Sequence, residues 1–458
     1  KKFAMKKNIA IIGAGAYASY AASVIYDVHP EWNVHIFEVG DKKIKTQDEI
    51  GFTSKIINNR YDALTKGRYF GFGGATAKWG GQILTFSKND FIDPDRYLSE
   101  IIELNEKYRN NIFKKIGIEN NVSEMILDNG MYAKVGVWLD YFHRNLFYLF
   151  GVDKYKNVTL HPYCRVTKIL YNGTKVEGFQ YIENSEYKIA SNYDFFFLSA
   201  GAFESTRIMM VSGLQSLTKV EFSDHIAKKI FKIKGTTKIG KVDMQFKIKK
   251  FSFITTRIIG EKDGVSYFGY PSFNSEFPLF QNLKKLLFNH HFSLGLVGAI
   301  IKDLPNAVRF VWNYFIKHKL YVYKNEWYLV LHMENPRGHG NVFLADELDK
   351  FRQPGLAISF SISEKSEAIF NSVTKMFDKM LTDDKIEHYL IDEAVHTEKF
   401  EDEYHPFGLY SDFDSVEDYF NQFDNMLVVH SGVLPRAGGI NSTSAVFPLL
   451  EEFIRYYM

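Results

Sequence analysis

The segment Gly13-Ala14-Gly15-Ala16-Tyr17-Ala18 limits what this chain can fold into more than any other, because of what flanks it. Before it runs the apolar stretch Asn8–Ile12, and from Ala16 to Val28 the chain is Ala-rich with helical character. The alternating run Val34-His35-Ile36-Phe37 follows and ends at Glu38. This is a βαβ opening with G-x-G-x-x-G/A spacing: the first glycine makes the tight turn, the second lets backbone approach a pyrophosphate, and Ala18 allows close helix packing. A pyrophosphate would sit on the helix N-terminus at Ala16, with Glu38 placed to take ribose hydroxyls. A glycine triplet alone marks only a turn; strand before, helix after and acid at the end make it a dinucleotide site. Glu38 argues against a 2′-phosphate and so against NADP, while FAD and NAD stay open at this point.

At 458 residues the chain exceeds what one hydrophobic core organises, so two lobes are expected. A formal net charge of +2 gives no reason to expect nucleic acid as a partner. Cys164 is the single cysteine, which excludes an intrachain disulfide and a cysteine-based metal site and suits a reducing compartment, the cytoplasm. The start, Lys1–Lys7, does not read as a signal peptide, and no window approaches the ~20 apolar residues of a membrane span. The histidines His290, His291 and His396 lack ligand spacing with acidic partners, so no metal site is expected.

Along the chain, a glycine cluster from Gly67 to Gly81 precedes helical stretches around Arg96–Lys115 and Tyr132–Leu149, with Gly117–Gly130 as a loop between them. Short alternating segments within Val158–Ala190, broken by Asn172-Gly173, read as an antiparallel meander. The apolar strand Tyr193–Ser199 leads through Ala200-Gly201-Ala202 into a helix. From Asp224 to Phe400 alternating strands such as Trp327–His332 and a long helix from Glu364 to Leu381 suggest a second, sheet-based lobe. A closing strand Met426–Val429 and helix Ser444–Tyr457 return to the earlier pattern. The expected organisation is a discontinuous nucleotide domain, 1–223 and 401–458, with a substrate domain, 224–400, inserted in it.

Three further segments narrow the nucleotide. Gly71-Phe72-Gly73-Gly74-Ala75-Thr76-Ala77-Lys78-Trp79-Gly80-Gly81 is a second glycine loop, in which small residues let backbone run along a cofactor without Cβ clashes. Leu198 to Arg207 is a strand-to-helix element, and Tyr404-His405-Pro406-Phe407-Gly408 is followed by Val429-His430-Ser431-Gly432 and Gly438-Gly439-Ile440-Asn441-Ser442-Thr443. In order and spacing these resemble the glucose-methanol-choline oxidoreductase family, nearest its pyranose and cholesterol oxidase branch; Gly338-His339-Gly340-Asn341-Val342 resembles a substrate-domain segment of the same family. The resemblance implies an α/β fold: a discontinuous Rossmann-like FAD-binding domain with an inserted α+β substrate domain built on an antiparallel sheet. It also implies hydride transfer from an alcohol, a sugar hydroxyl by the branch, to flavin N5. Oxidase and dehydrogenase, and the electron acceptor, are left open. His405 is then the base and Asn441 its partner. Gly73, Gly74, Thr76, Trp79, Gly80, Val166, Ala200, Gly201, Ser431, Ser442 and Thr443 join Gly13, Gly15, Ala16 and Glu38 around FAD. Family members with covalent flavin carry a histidine directly before the loop tryptophan; Lys78 stands there in this chain, so the FAD is expected to dissociate. Ser442 replaces a usual proline, and Leu409-Tyr410 a small polar residue.

A neutral histidine is well matched to taking a hydroxyl proton near neutrality, and an asparagine amide can donate to the oxygen as it gains charge. The N–H groups of Ser442 and Thr443 at a helix start would favour negative charge on a reduced flavin. A flavin-dependent isomerase or mutase without net redox change, and a non-catalytic flavoprotein, are the other classes these residues could serve. Separately, 284–324 carries seven Lys or Arg against one Asp, with aromatic residues interleaved. That composition suits a lid, core helices with a basic edge, or peripheral contact with the inner face of an anionic membrane, in which case a lipid-linked substrate fits.

Overall fold

The structure is a computed structural model that describes residues 6–58, 60–127, 130–274, 277–279, 281, 282, 295, 298, 303–391 and 400–458. The βαβ opening forms as its pattern requires. Asn8–Ile12 lies at the centre of a five-stranded parallel sheet, flanked by Phe195–Leu198 and Met426–Val428 on one side and by Asn33–Phe37 and Val158–His161 on the other. Asn8–Ile12, Phe195–Leu198 and Met426–Val428 are buried on both faces, which is why they read as near-continuous apolar runs, whereas Asn33–Phe37 and Val158–His161 are only half-buried. Ile9, Ile11, Phe195 and Phe197 pack against the helices Ala16–Val28, Arg96–Ile116 and Phe447–Tyr456. Ala10, Ile12, Phe196 and Leu198 face Ile208 and Met209 of the helix Ala202–Ser212 and the meander of Arg165–Asn172, Lys175–Glu183 and Glu186–Ser191.

The second large element is a ten-stranded sheet whose strand pairings are all antiparallel. Its long strands His225–Lys234, Glu326–Glu334, Val265–Phe273 and Ser252–Lys262 come from the middle of the chain. Tyr132–Leu139, Glu124–Ile126 and Gln82–Ile83 join the same sheet, so segments on both sides of the expected boundary at 223 share it. The long helix runs Glu364–Asp383 and packs Phe370, Val373 and Phe377 on the sheet. The fold is thus mixed α/β, a parallel sheet beside a large antiparallel one. Among the described residues no helix is long and apolar enough to cross a membrane.

The expected helix over Tyr132–Leu149 is not formed. Tyr132–Leu139 is a strand paired with Ser252–Lys262, and only Leu146–Leu149 makes a helical turn; the expected loop after Gly117 contributes the strand Glu124–Ile126. The cause is Lys134. Its ammonium, which argues for a solvent face, is fully buried, 2.5 Å from Asp90 and 3.2 Å from Glu124, so a strand covered on both faces carries a charge that disguises it. Of the basic segment 284–324, residues 284–302, with Lys284, Lys285, His290 and His291, lie outside the described residues apart from Gly295 and Gly298, as does His396. The part beyond forms the helix Leu304–Phe315, on which Val308, Val311, Trp312 and Phe315 are exposed.

Removing one partner of a buried ion pair leaves the others uncompensated, so Lys134→Ala should cost about 3–5 kcal/mol in urea unfolding. A loss under ~1 kcal/mol, the range of exposed pairs, would show that Lys134 does not hold these carboxylates.

Candidate active site

Gly13 turns at φ +98°, and a Cβ there would lie 2.5 Å from the Ser199 carbonyl oxygen, so only glycine lets the first loop pass beside the second strand-to-helix turn. Gly73 is similarly confined: at φ +100° its Cβ would strike Asn145. The two glycine loops touch, the Gly73 N–H donating to the Ala14 carbonyl at 2.8 Å and Gly74 lying over Gly15. Glu38 ties them further. Its buried carboxylate accepts from the backbone N–H groups of Ala14, Gly40 and Gly71 at 2.9, 3.0 and 3.0 Å. Burial raises its carboxyl above the usual range, with those N–H donors working against the rise. Thr76 is spent within its own loop: its hydroxyl donates to Gly73 O and accepts from Leu146 N–H.

These loops wall a cleft of about 200 Å³ lined by Gly13, Gly15, Ala16, Glu38, Gly74, Thr76, Trp79, Ala200, Gly201, Ser431 and Thr443. The helices Ala16–Val28 and Ala202–Ser212 start at Gly15 and Gly201 with no side-chain cap, and at both glycines a Cβ would meet nothing within 4 Å. Their leading N–H groups are therefore left for a ligand, with the positive ends of both helix dipoles beside them. At one end a smaller hollow is lined by Glu38, Val166, Cys164 and Arg165. Small residues, helix starts and an acid thus form one continuous cradle whose shape and N–H donors suit an elongated anionic ligand.

At the other end the cleft shares Trp79, Tyr404 and His405 with a second cavity of about 350 Å³ that reaches the antiparallel sheet. His405 stands where the two spaces meet. Its main-chain N–H donates to the buried Asp224 carboxylate at 3.1 and 3.2 Å, and Asp224 is held in turn by the Tyr61 hydroxyl at 2.7 Å. Before it, Tyr404 sits at φ +62°, unusual for an aromatic residue and typical of a strained functional turn. The Ser431 hydroxyl donates to Pro406 O at 2.8 Å and fixes the other side. The imidazole Nδ1 is buried without a hydrogen-bond partner. Burial, with His225 and His332 close by, lowers the His405 pKa to about 4 against the pull of Glu403, so the ring is neutral and free to accept a proton. Asn441 lines the same cavity; its own N–H donates to Gln82 Oε1 at 2.9 Å, and it opens the turn Ser442–Ala445 that precedes the last helix.

The loop carrying Asn441 is pinned to the antiparallel sheet. Arg436 pairs with Glu334 at 2.7 Å and Glu261 at 3.2 Å, Glu334 accepts from Gly438 N–H at 2.7 Å, and Gly438 O meets His225 Nε2 at 2.7 Å. Of the residues singled out from sequence, the structure brings all but Gly73 and Ser442 onto these cavities. Gly73 lies behind the cleft against Asn145, and Ser442 is fully buried with its hydroxyl unpartnered. Gly80 lines the second cavity and not the cleft. Sequence reasoning missed Gln82 and Glu403, which adjoin the segments it singled out, and Trp138, Arg257, Phe268, Tyr270 and His332, which line that second cavity from strands remote in the chain. It also missed Arg68, which reaches the cleft paired to Glu204 at 3.0 Å.

No protein-family model and no curated protein sequence matches the chain. Solved structures do. Pyridoxine 4-oxidase from Mesorbium loti aligns with a TM-score of 0.57 at 14% identity, covering 99% of each chain. Formate oxidase of Aspergillus oryzae RIB40, in a structure concerned with the effect of a mutation on FAD modification, aligns with a TM-score of 0.54 at 12% identity, also over 99% of each. At these identities the likeness establishes the fold over its whole length.

Close to the site, His430 accepts from Gly432 N–H at 3.0 Å and burial lowers its pKa to about 3. Its folded pKa lies below the unfolded value of 6.5, so between these the unfolded chain binds more protons and stability falls as pH falls from about 6.5. His430→Asn keeps an acceptor without the titration and should flatten that acid slope by roughly 1.4 kcal/mol per pH unit in unfolding titrations. An unchanged slope would refute the neutral, buried assignment.

Proposed function

We propose that this protein is an FAD-dependent oxidoreductase of the glucose-methanol-choline type that oxidises an alcohol, a sugar hydroxyl by preference, to a carbonyl. The observation that carries the reading is the place of His405: a neutral imidazole with Nδ1 unpartnered, where a cleft faced by two uncapped helix starts opens into a cavity under the antiparallel sheet. The full-length likeness to the structures of two oxidases, one of them concerned with FAD modification, supports it. The residues fit the cofactor. Backbone at Gly13, Gly15, Gly74 and Gly201 offers the close approach a pyrophosphate needs, while Thr76, Ala200, Ser431 and Thr443 line its course and Glu38 and Val166 the nucleoside end. An ionised carboxylate has about four acceptor positions, so Glu38 keeps capacity for a ribose hydroxyl beyond its three backbone donors. Lys78, exposed at the attachment position, is no flavin anchor, and the cofactor is non-covalent.

When bound, FAD supplies the hydride acceptor. His405 takes the substrate hydroxyl proton at its imidazole, and the Asp224 and Ser431 contacts fix the backbone of His405 and Pro406 that carries the ring. Asn441, whose backbone is fixed by Gln82, donates its side-chain amide to the same oxygen as negative charge develops. The walls Trp79, Trp138, Phe268 and Tyr270 limit water around the reacting carbon.

His405→Ala should slow flavin reduction ~10²- to 10⁴-fold with FAD binding kept, the usual contribution of a general base. Asn441→Ala should cost ~10²- to 10³-fold, as loss of one donor does, and the double mutant should lose less than the product because both act on one oxygen. Rapid mixing of the reductive half-reaction measures this. If His405→Ala reduces its flavin at the parent rate while Asn441→Ala does not, the base is assigned wrongly.

A further inference from the structure

The second cavity specifies more than an alcohol. Arg257 lines it from the strand Ser252–Lys262 and is 1% exposed, yet among the described residues no carboxylate lies within 4.0 Å of it. Its Nη1 donates to Gly439 O at 3.1 Å, its Nε is buried without a partner, and the guanidinium stacks 4.3 Å from the Phe268 ring. His332, 7% exposed on the strand Glu326–Glu334, has neither ring nitrogen hydrogen-bonded; the Glu403 carboxylate stands 3.5 Å from its Nδ1. Gln82, 3% exposed, uses Oε1 on Asn441 and leaves Nε2 buried and unpaired. Three separate strands thus present donor-bearing side chains, each more than nine-tenths buried with an unpartnered polar atom, around one space that also holds His405 and Asn441. Buried polar groups in native proteins are normally paired, so such a cluster at a cavity wall is what a polar ligand group completes.

We propose that Arg257, with Gln82 and His332, forms a carboxylate subsite, so that the substrate is a small hydroxy acid, such as a sugar acid, rather than a neutral alcohol. The inference rests on the reading of His405 as base in this same cavity. The charges lining it favour an anion: with Lys66 paired to Asp62, Lys78 and Arg257 stand against Glu403 alone. Glu403 is turned to His332 and His405, so it occupies the base's side and leaves Arg257 to the ligand. A planar guanidinium matches a carboxylate's paired oxygens, and a single buried cation suits a monoanion better than a phosphate dianion. The volume of about 350 Å³ is near the lower end of small-molecule sites and fits a monosaccharide-sized acid, not a polymer segment.

The test uses holoenzyme with its flavin reduced beforehand and kept anaerobic, so a hydroxy acid binds without being oxidised. Lactate and glucuronate, with lactamide and glucuronamide as uncharged counterparts and glucose 6-phosphate as the dianion, are titrated by flavin absorbance change and by thermal stabilisation. The acids should bind at least ~10-fold tighter than their amides, the margin of one charge-assisted contact. Arg257→Gln should remove that preference, Arg257→Lys should keep part of it, and FAD content should be unaltered in both. If Arg257→Gln does not fold, His332→Phe, which keeps the stack on Phe268, should still weaken acid binding ~3- to 10-fold. Equal binding of amides, preference for the phosphate ester, or an Arg257→Gln variant that keeps the acid preference overturns the proposal. So does loss of FAD in Arg257→Gln with acid binding intact, which would give Arg257 to the cofactor. A protein that carries no flavin fails the oxidoreductase reading, and thermal stabilisation by the acids still decides the subsite.

Discussion

The Glu38 carboxylate, buried at the end of the strand Asn33–Phe37, is the point on which the cofactor-facing architecture depends, because three backbone segments end on it. Hydrogen bonds to a charged group contribute about 1.5–3 kcal/mol each, and an amide left without its acceptor in this setting costs as much again. With Ala14, Gly40 and Gly71 N–H groups held, the two glycine loops close on each other through Gly73 N–H to Ala14 O, and the space a Gly15 side chain would take stays open. The contacts that shape the cradle thus lie within the chain itself. In the proposed reading, a carboxylate fixed in this way meets a ribose hydroxyl with little further reorganisation.

The reactive end is set by a second group of contacts that join the two sheets. Arg436, Glu334 and His225 pin the loop 436–441 to the antiparallel sheet, and Gln82 from the rim strand holds Asn441. Asp224, at the start of the strand His225–Lys234, holds His405 from the same sheet. His405 and Asn441, the proposed base and amide donor, therefore belong to the C-terminal part of the chain but are positioned by strands from the middle of it and by Gln82, and the cleft ends where they stand. Arg257 adds a buried charge that the protein itself compensates poorly. Cation–π contact with Phe268 offsets up to about 2 kcal/mol, against several kcal/mol for burying an unpaired ion.

Much of this is legible in the sequence. The glycine spacing, the acid at Glu38 and the segments around His405 and Asn441 are local patterns, and the structure brings them to the cleft and the cavity that adjoins it. What is not legible is non-local or contrary to pattern. Tyr132–Leu139 reads as helix because Lys134 breaks the apolar alternation of a strand whose charge is neutralised by Asp90 and Glu124, residues no local window connects. Arg257 and His332 point inward from strands in which charged residues are expected to face solvent, and only strand pairing through Val265–Phe273 brings them together. Gln82 follows a run of glycines and small residues that reads as cofactor loop to its end. Its use as a strand residue holding Asn441 depends on a partner 359 positions away.

The central claim is that this cleft holds FAD and that the cavity beside it delivers a hydride to it. The most direct measurement is anaerobic mixing of the purified protein with a panel of hydroxy acids and sugars, followed by flavin absorbance. The account predicts one FAD per chain, bleached stoichiometrically by an alcohol substrate, slowed when the carbinol carbon carries deuterium, and released from the polypeptide on denaturation. Protein that binds no flavin, or that turns a substrate over with its flavin never bleached, would contradict it.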